Sequence, residues 1–134
     1  MHTNPPSPLR QPCPPALCTC GHRTLLADAT ADQRILRLTR HEERRLLARL
    51  QALLDFDDLQ HLRRRMHEQL GIELRLSPGL HEVRSARGVQ IDFTPQPGLC
   101  RKTQRAMAAT LRRAFEQHPP LLWRLLDSFD LLGA

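Results

Sequence analysis

The chain has 134 residues, with 20 Lys plus Arg against 14 Asp plus Glu, a net charge of +6 with neutral histidines. That length suits one domain with a tail, and no run approaches the roughly 20 apolar residues of a membrane-spanning helix. The opening MHTNPPSPLRQPCPP has no apolar core of a secretory signal, so a cytoplasmic protein with no membrane association is expected. Leu, Ile, Val and Phe number 34, of which 25 are Leu, enough to build a packed core.

Six of the eleven prolines fall in the first fifteen residues. Proline removes backbone donors and fixes φ, so residues 1–24 are expected to form a flexible, largely disordered arm ahead of a single domain over 25–134. Gln33 to Thr39 reads as a short strand or an extended lead-in. Thr39-Arg-His-Glu42 is a capping box and predicts a helix from about 40 to 54, with Leu46, Leu47, Leu50, Leu53 and Leu54 recurring at helical spacing. Asp55, Asp57 and Asp58 mark a fresh helix start, where carboxylates meet the positive end of the helix dipole. This second helix carries Leu59, Leu62, Met66 and Leu70 and ends at Gly71, a residue suited to a left-handed cap.

After Gly71 the period changes to two. Ile72 to Leu76, Leu80 to Arg84 and Val89 to Phe93 read as three strands, with Ser77-Pro78-Gly79 as a turn and Ser85 to Gly88 joining the last two as a hairpin. Lys102 to Gln117 and Leu121 to Leu132 read as a closing pair of helices separated by His118-Pro-Pro120. The expected fold is therefore α+β: helix pair, three-stranded antiparallel sheet, helix pair. The last helix is apolar nearly all round, which suits either a core element or a seam for a second copy or a docked partner.

Arginine supplies 19 of the 20 positive charges, and its planar donor fork suits phosphate and carboxylate. Between Gln60 and Arg113 there are eleven Lys or Arg against four Asp or Glu, so the basic character is local. A polyanion-binding surface needs such clustering, because affinity accumulates from each released counterion. The expected contacts are Arg63, Arg64, Arg65, Arg84, Arg87, Arg101, Lys102 and Arg105, with nucleic acid favoured over an acidic protein as partner. Leu38-Thr39-x-x-Glu42 with Leu46-Leu47, and Val83 to Val89 at the hairpin, are similar to stretches of the winged-helix domains of response regulators. The resemblance covers about 20 residues and implies a nucleic-acid partner, but it transfers no base-reading residues, and only two helices separate its two ends.

Cys13, Cys18 and Cys20 lie in PCPPALCTCGH, followed by His22, and Cys100 stands alone. Clustered thiols in a cytoplasmic chain point to soft-ligand metal binding, by zinc or an iron–sulfur cluster. Two ligand sets are open: Cys13, Cys18, Cys20 and His22, or the same three cysteines with Cys100. The His-Glu pairs at 41, 67 and 81 lack the second His of a zinc protease helix, and no phosphate-cradling or nucleophile-elbow glycine motif occurs. The expectation is a non-enzymatic regulatory binding protein using the basic surface, or alternatively a sensor or interaction module with a metal-binding arm.

Overall fold

The structure, a computed structural model, describes residues 9–13, 18–79 and 85–129. It is mixed helix and sheet, in the order α1 (His22–Ala27), a 3-10 turn (Arg34–Arg37), α2 (Arg40–Gln51), α3 (Phe56–Leu70), β1 (Leu74–Pro78), a second 3-10 turn (Ala86–Gly88), β2 (Val89–Phe93), α4 (Arg101–Gln117) and α5 (Pro119–Ser128). No described helix is long and apolar enough to cross a membrane.

Side-chain caps set the starts of α2 and α3. Thr39 is extended at the N-cap of α2 and its hydroxyl accepts the Glu42 N–H at 3.2 Å. Asp55 does the same for α3, accepting the Asp58 N–H at 2.8 Å. Asp58 in turn accepts the Leu54 N–H and pairs with Arg49, which locks the α2–α3 corner. Arg49 holds the Asp58 carboxyl below its usual range against the opposing effect of burial. At the other end of α3, Gly71 takes a φ of 72° and two side chains meet the exposed carbonyls with three hydrogen bonds. Arg34 Nη1 donates to His67 O and Glu68 O, and Gln96 Nε2 donates to Leu70 O. Asp32 holds the Arg34 guanidinium in place.

The Gln33 to Thr39 segment is neither strand nor extended lead-in; its Ile35 and Leu36 are buried on a 3-10 turn. Four residues cannot alternate long enough to separate a strand from a tight helical turn. The sheet also differs from expectation. Among the described residues it has two strands, β1 and β2, paired antiparallel with Leu74 opposite Phe93 and Leu76 opposite Ile91. The expected third strand, Leu80 to Arg84, lies outside the described residues. Ser85 to Gly88 is a capped 3-10 turn, Ser85 Oγ accepting the Arg87 N–H. Alternation identifies the buried face of Leu74 and Leu76 but carries no information about the partner strand.

The arm differs at its inner end, because α1 begins at His22, within the stretch expected to lack regular structure. The core joins Leu50 and Leu53 beside α2 and its end, Leu59, Leu62 and Met66 of α3, Met107, Leu111 and Phe115 of α4, and Leu121 and Leu125 of α5. In α5, Trp123 stays half exposed. Replacing the fully buried Phe115 by Ala is expected to cost about 3–5 kcal/mol, whereas Thr39→Ala removes only a cap and should cost about 1 kcal/mol. Urea unfolding of the two variants checks this ranking, and equal losses would contradict it.

Candidate metal centre

Two distant stretches of chain meet at Gly98. Its φ of +87° is open to glycine, and a Cβ there would lie 2.7 Å from Ile35 Cγ2 and 2.8 Å from Leu25 Cδ2. Across this close approach the Gly98 N–H donates to Cys20 O at 2.7 Å, and Gly98 O accepts from Arg10 Nη1 at 2.5 Å. The Arg10 N–H donates to Leu36 O at 2.7 Å, so the segment before Cys13 is laid against the first 3-10 turn. Two residues after Gly98, Cys100 forms the N-cap of α4 and offers no side-chain cap bond to it.

The consequence is a cluster of four sulfurs. Cys13, Cys18, Cys20 and Cys100 place their Sγ atoms within 4.8 Å of one another. Cys13 Sγ lies 3.4 Å from Cys100 Sγ, Cys18 Sγ lies 3.5 Å from it, and Cys13 and Cys20 are 3.9 Å apart. None is in a disulfide; Cys100 is buried and the other three are partly exposed. Four thiolates around one ion at 2.3 Å form a tetrahedron with edges of about 3.8 Å, which these separations approach. A multi-iron cluster distributes its cysteines over separate irons and needs sulfurs further apart than contact.

His22, the alternative fourth ligand, is not among the converging groups. It is buried, and its Nε2 lies 3.0 Å from Arg10 O, a carbonyl that only accepts, so Nε2 is the donor. The imidazole thereby holds the backbone of Arg10. Arg10 is a residue the sequence reading missed, since nothing in the cysteine spacing signals it. Its Nη2 points at Cys20 Sγ, 3.7 Å away, and its buried Nε has no hydrogen-bond partner among the described residues.

The thiols pull their acidities apart. Burial, then contact with the Cys13, Cys18 and Cys20 thiols, raises Cys100 far above an ordinary thiol, with Arg10 acting weakly the other way. Burial also raises Cys13, although its contact with Cys100 opposes the shift. At Cys18 burial is outweighed by the Cys20 N–H and by the Cys100, Cys20 and Cys13 thiols, which bring it down to about 7. Four sulfurs in contact repel one another once ionised, so a full set of thiolates requires a cation among them.

The expected nucleic-acid contacts are dispersed over three elements. Arg63 is half buried, donating to Gln60 Oε1 and Leu74 O at 2.8 Å each, and desolvation lowers its pKa. It clamps α3 to β1. Arg64 and Arg65 are exposed on α3, Arg87 on the second 3-10 turn, and Arg101, Lys102 and Arg105 on α4. Arg84 lies outside the described residues. No protein-family model, curated protein or solved structure matches the chain.

Both Gly21 and Gly98 have positive φ, but a Cβ at Gly21 would meet nothing within 4 Å. Gly98→Ala should therefore destabilise more than Gly21→Ala, by at least about 1 kcal/mol beyond the shared backbone strain. Thermal unfolding of the two variants is the check, and equal losses would show that the Gly98 crossing is not tightly packed.

Proposed function

We propose that the protein is a small non-catalytic binding module whose fold is closed by one tetrahedral zinc ion held by Cys13, Cys18, Cys20 and Cys100. The observation that carries this reading is the approach of all four sulfurs to within 4.8 Å, three from one end of the chain and one from the start of α4. Zinc suits the donor set, because thiolates are soft ligands and a d10 ion accepts the tetrahedron without electronic preference. Four protein ligands leave no open position for water or substrate, which separates structural from catalytic zinc sites.

Zinc with four thiolates carries a net charge of −2. Arg10 beside Cys20 and the positive end of the α4 dipole at Cys100 are placed to offset it. In the unfolded chain the cysteines are scattered over 88 positions, from 13 to 100. Binding energy at the assembled site therefore becomes folding energy for the segment it ties down. An iron–sulfur reading of the same residues is disfavoured by the sulfur contacts.

Protein purified without chelator is expected to contain one zinc per chain by elemental analysis, and Cys100→Ser to lose most of it. Cobalt(II) added to the metal-free protein should give the strong visible absorption of a tetrahedral thiolate site. Iron with inorganic sulfide, or less than a tenth of an equivalent of any metal, would overturn the proposal. Chelation should lower the thermal midpoint, and the loss should be small in Cys100→Ser, which no longer holds the ion.

A further inference from the structure

α4 divides cleanly into two faces. Thr103, Met107, Thr110, Leu111, Ala114 and Phe115 are buried on one side. At 100° per residue, Arg101, Lys102, Arg105, Arg112, Arg113 and Glu116 fall within roughly 120° on the other. The helix thus carries five cations and one acid, and all six sit on the same stripe. From Arg101 to Arg113 the stripe runs about 18 Å.

These charges are not consumed by partners within the fold. The ion pairs found among the described residues join Asp32 with Arg34, Glu42 with Arg45 and Asp58 with Arg49, all on other elements. Arg112 is anchored, donating to Ala86 O at 2.6 Å and Val89 O at 3.3 Å. Arg113 spends one donor on Thr110 Oγ1. Arg101, Lys102 and Arg105 are exposed with no carboxylate at ion-pair distance among the described residues. The second 3-10 turn, which packs against α4, adds exposed Arg87.

We propose that this face of α4 binds the phosphodiester backbone of duplex DNA, through Arg101, Lys102, Arg105 and Arg113. Charge complementarity sets the polyanion. The choice of a duplex follows from the stripe's composition: it has no aromatic side chain on which unpaired bases could stack. DNA is assigned over RNA because the DNA major groove, about 12 Å wide, admits a helix, whereas the RNA major groove is too narrow. The surface shares no residue with the proposed metal site, and α4 is packed through its opposite face.

The test is a fluorescence-anisotropy titration of the full chain, purified without chelator, with a labelled DNA duplex across a salt series from about 50 to 200 mM. Four phosphate contacts predict a log–log salt slope of about −3 to −4. Arg105→Ala with Arg113→Ala should weaken binding at least tenfold and make the slope shallower by about two. Arg105→Lys with Arg113→Lys should restore most of both, which separates lost charge from lost fold. Arg64→Ala with Arg65→Ala, on α3, should stay within about twofold of the parent. A slope near zero, tighter binding to single-stranded DNA or duplex RNA of equal length, or equal weakening by the α3 and α4 pairs would overturn the proposal. Zinc content is measured on the same samples. Unchanged zinc with absent DNA binding would sink this inference and leave the metal reading standing.

Discussion

The crossing of Arg10 and Cys20 over Gly98 is the constraint on which the four-cysteine cluster depends. A carbonyl of one segment accepts the N–H of the other, and the arginine returns a bond to the glycine carbonyl. Ile35 and Leu25 leave no room for a Cβ at this point. Cys100 follows two residues later at the head of α4, while Cys20 is itself one of the crossing residues. The sulfurs are brought together by this backbone contact. The site is thus a product of packing between the Arg10–Cys20 segment and the turn before α4, and of the side chains that enforce it.

In the two proposals the same helix serves two chemistries at two places. Its first residue boundary supplies Cys100, where the dipole favours a thiolate. Its solvent face supplies a row of cations whose charge the fold does not neutralise, while its buried face is committed to α2, α5 and the hairpin side. An ion held at the N-cap would fix the position of α4's first turn, and with it Arg101, Lys102 and Arg105. The proposed metal site and the proposed DNA face are mechanically adjacent without sharing a residue.

Local chemistry was legible from the sequence, and non-local pairing was not. Thr39, Asp55 and Gly71 announce helix ends because their side chains, or the lack of one, act within four residues. Leu59, Leu62 and Met66 show the buried face of α3 by spacing alone. The partner of Val89–Phe93 depends on which strand reaches it, and alternation is blind to that. The cysteines were visible as candidate metal ligands, but that Cys100 joins the cluster while His22 is turned to Arg10 O has no linear signature. Arg63 reads as one of three equal arginines, yet only the structure shows that it spans α3 and Leu74 O while its neighbours face water.

X-ray absorption at the zinc edge tests the central claim most directly, because it reads the ligand atoms without reference to the fold. The account predicts a single shell of four sulfurs at about 2.3 Å. A shell of three sulfurs and one nitrogen, with the imidazole scattering of His22, would contradict it and place the ion away from α4.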